Sequence, residues 1–199
     1  MEIIIAENTG LCYGVKRALN IARRTRRAVI GPVSTLGDLI HNPRVVADLR
    51  NRGVSSAETA RDIKEGTVII RSHGVSPAIY RALARKNLEI VDATCPIVKE
   101  IQKLIESLTR KNMEIIIVGD REHPEIRGLI GHSRSRGIIV ENEAQARELP
   151  RRKTRAVVAQ STLDVELFER IIAALVDRTD ELSVHNTICR STRTRQTST

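Results

Sequence analysis

Aromatic side chains are almost missing from this sequence: its 199 residues include one Phe, two Tyr and no Trp. A core must therefore be built from Ile, Val, Leu and Ala, and the 41% of hydrophobic residues is enough to form one. The same shortage leaves little to stack on nucleic-acid bases. No apolar run is long enough to span a bilayer, and the opening Met1-Glu2-Ile3 is not a signal peptide, so a cytoplasmic protein is expected. Cysteine is scarce as well. Cys12, Cys95 and Cys189 are all there are, and no Cys-x-x-Cys pair occurs, which excludes a zinc ribbon or thioredoxin motif. An odd count in a cytosolic chain also argues against a disulfide framework.

Positive charge is in excess, with a net charge of +9. Such a balance suits nucleic acid or anionic substrates. A generally Arg-rich soluble surface is the preferred explanation. Part of the excess is local: Arg23, Arg24, Arg26 and Arg27 close one predicted helix, and Arg190, Arg193 and Arg195 lie in the tail.

Short apolar stretches alternate with helical patterns along the chain, which predicts a parallel α/β sheet protein. Strands are expected at residues 2–6, 28–31, 67–71, 88–91, 114–118, 137–140 and 155–159, with a further extended piece at 34–36, and residues 183–187 lead to Cys189. Helices are expected at 15–26, 43–52, 77–86, 97–111, 142–148 and 164–177. Residues 55–65 read as a polar connection and 190–199 as a polar tail. The pattern divides into two α/β units that meet near Pro96.

Cys95 stands at the junction of the strand over 88–91 and the helix that Pro96 opens; proline suits a first helical position. Backbone N–H groups and the helix dipole gather there and favour a thiolate, for a metal or for nucleophilic attack. Cys12 lies in a similar strand-to-helix loop, bracketed by Gly10 and Gly14. In open parallel sheets ligands bind beyond the carboxyl ends of strands. The residues that follow the predicted strands include Cys12, His41, His73, Cys95, His123, Glu125, Ser161, Thr162 and Cys189, which could line one site where the units meet. Three thiolates fit an iron–sulfur cluster with one open iron, a three-Cys zinc site, or three unrelated buried thiols, and the residues alone leave all three open. His41, His73 and His123 suggest a shared anion or metal site, whereas His132 and His185 read as surface residues. Glu125 on its own reads as a solvated loop acid, and Ser161 and Thr162 as hydroxyl donors or caps of the next helix.

Taken together, several stretches resemble the LytB-type 4-hydroxy-3-methylbut-2-enyl diphosphate reductases, which end the non-mevalonate isoprenoid pathway. They are Gly10-Leu11-Cys12-Tyr13-Gly14-Val15, Leu39-Ile40-His41-Asn42-Pro43, Arg71-Ser72-His73-Gly74-Val75, Asp92-Ala93-Thr94-Cys95-Pro96, His123-Pro124-Glu125, Gln160-Ser161-Thr162 and Asn186-Thr187-Ile188-Cys189. The resemblance implies one 4Fe–4S cluster per chain, held by Cys12, Cys95 and Cys189, whose fourth iron binds the substrate's allylic oxygen. It implies that His41, His73 and His123 surround the diphosphate, with Ser161 or Thr162 also near the substrate. Glu125 would head a proton relay, assisted by His123. Two electrons and two protons would remove the hydroxyl as water, giving isopentenyl and dimethylallyl diphosphate. Reduced ferredoxin or flavodoxin would be the electron donor. Neither membrane nor nucleic acid is expected as a partner.

The family fold has three similar α/β domains around the central iron–sulfur site. This sequence stops ten residues after Cys189, so the expectation is two similar parallel-sheet domains with the third absent, along with that domain's Ser-x-Asn stretch. The expected division is an N-terminal strand and first Cys loop (1–13), a first α/β domain (14–96), a second (97–185), and a last Cys motif with a truncated tail (186–199). The open third-domain face would then invite association. Smaller departures are Ser161, where the family commonly has Thr, and Arg190-Ser191 after the last cysteine. The rival reading is an inactive homologue acting as a basic anion- or nucleic-acid-binding module.

Overall fold

The computed structural model describes residues 9–197; the strand expected over residues 2–6 lies outside them. The described chain forms two units. One is residues 12–99, and the other takes residues 100–197 together with residues 9–11.

In the first unit, α1 (Tyr13–Ala28) precedes β1 (Val33–Leu36), α2 (Pro43–Asn51), β2 (Val54–Ala57), β3 (Thr67–Ile70), α3 (Pro77–Ala84) and β4 (Glu89–Asp92). The strands form one parallel sheet in the order β2-β1-β3-β4. All four residues of β3 are buried, whereas the edge strands β2 and β4 are partly exposed. Successive strand side chains point to opposite faces. Ile69 therefore packs with Ala18, Leu19 and Ala22 of α1 and Leu49 of α2. Its neighbours Val68 and Ile70 join Leu83 of α3 in a separate cluster. Both faces are covered, as a parallel sheet requires. Each fully buried Ile or Leu here contributes about 1.5–3 kcal/mol.

Two expectations fail in this unit. Residues 28–31 are not a strand: α1 runs to Ala28, and Ile30 lies on the surface. The Arg26 guanidinium donates to the carbonyls of Val29 and Gly31, which holds this apolar triplet in a turn. Conversely, the polar connection expected from residue 55 begins with a strand. In β2 only Val54 is buried, and Ser55 pairs hydroxyl to hydroxyl with Ser34 of β1 at 2.8 Å. An edge strand tolerates such polar residues, which is why its sequence carries no apolar alternation.

Helix α4 (Pro96–Arg110) leads into β5 (Glu114–Val118), α5 (Pro124–His132), β6 (Ile138–Val140), α6 (Glu143–Glu148), β7 (Arg152–Ala159), α7 (Val165–Val176), β8 (Thr179–His185) and α8 (Arg190–Gln196). The second sheet is again all parallel, in the order β6-β5-β7-β8. Its core joins Ile116, Val118, Val157 and Ala159 to Phe168, Ile171 and Leu175 of α7. The chain's single phenylalanine is thus spent on the helix that covers this sheet. Two elements were not foreseen. Helix α5 starts at Pro124 under an N-cap from His123, and the polar tail over 190–196 is the short helix α8. Strand β8 overlaps the stretch 183–187 that leads to Cys189, for which no element was expected.

Both sheets share one plan. Counting strands within each unit, the order is second, first, third, fourth. This common plan puts corresponding loops after corresponding strands.

Candidate functional site

Apart from Cys12, which precedes α1, the residues singled out in the sequence lie in the loops that follow the first, third and fourth strands of each sheet. After β1 comes Gly37-Asp38-Leu39-Ile40-His41, and after β5 comes Gly119-Asp120-Arg121-Glu122-His123. In each loop the glycine N–H donates to the last carbonyl of the adjoining edge strand: Gly37 to Ala57 at 2.7 Å, and Gly119 to Val140 at 3.1 Å. Gly37 has φ +69°, a conformation that a residue with a Cβ adopts at a cost. The repeated Gly-Asp-x-x-His is visible in the sequence once the strand order is known.

In the first unit, Cys12 is the N-cap of α1 and Cys95 directly precedes α4. Both thiols are half-buried. A Cβ added to Gly14 would stand 2.6 Å from Cys95 Sγ and 4.0 Å from Cys12 Sγ. The glycine therefore keeps open a space that both sulfurs border. The Cys95 N–H donates to the Ser72 carbonyl at 2.9 Å. Beside it, Arg17 donates to the Thr94 carbonyl at 3.0 Å. Asp92 accepts from the Thr94 N–H and pairs with Lys99 at 2.6 Å. Burial of Asp92 pushes its carboxyl up, but the Lys99 and Thr94 hydrogen bonds outweigh this and leave it below the usual range.

His41 and His73 are ring to ring, with centroids 4.5 Å apart and planes tilted by 31°. Ser72 ties their loops together, since both its N–H (3.2 Å) and its hydroxyl (3.0 Å) donate to the Leu39 carbonyl. Sequence reasoning gave Ser72 no role of its own.

In the second unit, His123 Nδ1 accepts from the Glu125 N–H at 3.2 Å as the cap of α5. A neutral His123 therefore carries its proton on Nε2. Glu125 is not a solvated loop acid: it is 1% exposed. Ser161 N–H donates to one of its carboxyl oxygens at 2.7 Å, and Ser161 Oγ lies 2.6 Å from the other. Burial raises the Glu125 carboxyl above its ordinary range, and the two Ser161 bonds only partly offset this. Thr162 is exposed, and its hydroxyl accepts from Gln160 Nε2 at 2.9 Å. Neither Ser161 nor Thr162 caps α7; Asp164 does, accepting from the Leu167 N–H.

Cys189 occupies in this unit the place that Cys95 has in the other. It follows the fourth strand, and its N–H donates to the Ser161 carbonyl at 2.8 Å, as Cys95 donates to Ser72. Its motif explains how it is held. Thr187 Oγ1 accepts from the Ala159 N–H and donates to the Ala159 carbonyl, fastening the loop to the end of β7. Ile188 is buried in the core, and Asn186 accepts from the Ile188 N–H. Thr192 adds a hydroxyl bond to the Ser161 carbonyl at 3.2 Å. None of the three cysteines is in a disulfide.

His132 and His185 stay apart from these loops but are not plain surface residues. His132 is half-buried, with Nδ1 2.8 Å from Glu106, and His185 Nε2 lies 3.2 Å from the Ser183 hydroxyl. Among the described residues, no helix is long and apolar enough to cross a membrane.

A family model described as LytB protein matches residues 3–199. The 4-hydroxy-3-methylbut-2-enyl diphosphate reductase of Caldanaerobacter subterraneus subsp. tengcongensis is 41% identical over 98% of this chain and 69% of its own length. The Aquifex aeolicus protein of the same name is 41% identical over 100% of this chain and 70% of its own length. A solved structure of (E)-4-hydroxy-3-methyl-but-2-enyl diphosphate reductase, described as the terminal enzyme of the non-mevalonate pathway, superposes with a TM-score of 0.87 at 40% identity. It covers 98% of this chain and 71% of that one. The E-1-hydroxy-2-methyl-but-2-enyl-4-diphosphate reductase of Plasmodium falciparum superposes with a TM-score of 0.88 at 28% identity, over 94% of this chain and 61% of that one.

Proposed function

The chain belongs to the LytB protein family, and from that premise we propose that it reduces 4-hydroxy-3-methylbut-2-enyl diphosphate to isopentenyl and dimethylallyl diphosphate. The observation that carries this reading is the buried Glu125 carboxyl held on both oxygens by Ser161. A hydroxyl group leaves poorly until it is protonated, so the reaction needs an acid that still holds a proton near neutral pH. Burial shifts the Glu125 carboxyl in the direction this role needs, above its ordinary range.

Cys12, Cys95 and Cys189 are assigned to hold one 4Fe–4S cluster. The donor set fits: three half-buried thiols outside any disulfide, each directly followed by a helix. The space kept open by Gly14 beside two of the sulfurs supports the same assignment. Three ligands leave one iron with an open position. When bound, such a cluster supplies electrons and a Lewis-acidic iron. The imidazoles of His41, His73 and His123 are assigned to the diphosphate. Nε2–H of a neutral His123 is a donor suited to an anion, because Nδ1 is engaged by the Glu125 N–H. His123 is also assigned to assist proton delivery. Thr162, whose exposed hydroxyl is oriented by Gln160, is assigned to the substrate rather than to Glu125. The electron source is a reduced carrier of the ferredoxin or flavodoxin type.

Anaerobic reconstitution with iron and sulfide tests this reading. The full chain should turn brown, bind about four irons, and consume the substrate with reduced methyl viologen as donor. Cys95→Ser should lose the iron. Full iron loading in Cys95→Ser, or a loaded wild-type chain that leaves the substrate untouched, would refute the reading.

A further inference from the structure

The net positive charge of this protein is confined to one of its units. Residues 12–99 contain 16 Lys and Arg against 7 Asp and Glu, which gives the whole of the +9; the remaining residues contain 17 of each. Within that unit the charge is concentrated further. The 16 residues of α1 hold six Lys and Arg and no acid. Lys16, Arg23, Arg24 and Arg27 are exposed along one side of it, at spacings of three, four and seven that share a helical face. The adjoining α2 adds exposed Arg44 and Arg50, and Arg52 follows its end. Asp48 is the only acid in the two helices and is occupied, pairing with Arg52 at 2.8 Å and Arg23 at 3.4 Å. Among the described residues, none pairs with the side chains of Lys16, Arg24, Arg27 or Arg50. Helix α1 begins at Cys12, and Tyr13, 75% exposed, stands at the same end. A basic field of this kind steers an acidic partner, and an exposed tyrosine is a common interface anchor.

We propose that the exposed face of α1 and α2 is the docking surface for an acidic one-electron carrier protein. The proposal rests on the reductase reading, which requires electrons from outside the chain. Each encounter oxidises one reduced carrier by one electron. Two electrons and two protons break the C–O bond of the allylic alcohol, replace it with a C–H bond and release water. Lys16 and Tyr13 stand in the first turn of α1 beside Cys12, and Arg23, Arg24 and Arg27 carry the basic face on to the other end of the helix. Nucleic acid, the other polyanion such a face could take, is disfavoured because Tyr13 is the only aromatic residue on these two helices.

The test is direct binding of a purified acidic 2Fe–2S ferredoxin to the full chain, with and without its cluster, measured by calorimetry at low and raised salt. Wild type should bind, and binding should weaken steeply with salt. Arg24→Glu combined with Arg27→Glu should weaken binding by about tenfold or more and leave reduction of the cluster by dithionite unchanged. Arg110→Glu combined with Lys111→Glu makes the same change of charge at another helix end, in the other unit, and should leave binding near wild type. Unaltered ferredoxin binding in the α1 variant, or equal loss in the α4 variant, would overturn the proposal. So would a duplex DNA oligonucleotide that binds this face more tightly than the ferredoxin. Failure of the cluster to assemble would count against the reductase reading instead, because binding is read on the cluster-free chain as well.

Discussion

Ser161 holds Glu125 at both ends of its carboxyl group, with the backbone N–H on one oxygen at 2.7 Å and the hydroxyl at 2.6 Å from the other. The serine's own carbonyl takes the Cys189 N–H. One residue therefore connects a candidate acid to a candidate metal ligand. Ser161→Ala removes the hydroxyl and leaves a buried carboxyl oxygen without it, which should cost about 1–3 kcal/mol. At this chain length that is about 2–4 °C of Tm for each kcal/mol. Ser161→Thr, which keeps the hydroxyl, should restore most of the loss. A thermal melt of the three proteins decides it, and equal melting temperatures would show that the hydroxyl carries no such energy.

Glu125 should make stability depend on pH in a defined direction. Its folded carboxyl titrates above the ordinary glutamate value because burial disfavours the charged form. In the window from that value up to the folded one, the native state binds more protons than the unfolded state. Its contribution to stability therefore falls as pH rises through the window and stays low above it. Glu125→Gln is uncharged at every pH and can still bond both Ser161 groups. It should accordingly melt higher than wild type in alkaline buffer and lose that advantage in mild acid. An advantage that grows toward acid would contradict the assignment. Turnover of the loaded chain should collapse in the same variant.

Gly14→Ala should separate iron binding from folding. Alanine is the better helix former by about 1 kcal/mol, and the neighbouring Cys95 side chain can rotate away from the new methyl group. The helix should persist in the far-ultraviolet spectrum with little change in Tm. The redirected sulfur, however, should lower iron content after reconstitution well below that of wild type. Unchanged iron content would show that the space beside Gly14 is not needed by the cluster.

Arg155 gives a stability prediction remote from these loops. Its side chain is fully buried and donates to Glu114, Thr179 and the carbonyls of Pro150 and Arg178. Arg155→Ala would leave the Glu114 carboxylate and these acceptors short of a partner, with an expected loss of about 3–5 kcal/mol. Urea titration followed by circular dichroism measures it. A loss below about 1 kcal/mol would mean that water replaces the guanidinium.

The alternation of strands and helices was legible because the central strands β3, β5 and β7 are continuous Ile, Val and Ala runs that need cover on both faces. Edge strand β2 was not, because Val54-Ser55-Ser56-Ala57 has one buried residue and nothing periodic. The candidate residues were legible from their places after strands. Their pairings were not: Glu125 and Ser161 are far apart in the sequence, and only the adjacency of β5 and β7 brings their loops together. Glu125 shows the limit most clearly, since a carboxylate in His-Pro-Glu looks solvated until the helix that buries it is seen. The Gly-Asp-x-x-His repeat was present in the letters but acquired meaning only from the shared strand order.

The carbonyl of Gly10 is held at 2.6 Å by Arg195. The unit that contains this bond collects residues from both sides of the other unit, which is contiguous from residue 12 to 99. Synthesis proceeds from the amino end, so the contiguous unit can fold while the ribosome is still at work. The enclosing unit has to hold its first residues in waiting until Arg195 has emerged. Cys12 and Cys95 are therefore in place before Cys189 has been made, so the three thiols come together only after the enclosing unit has closed.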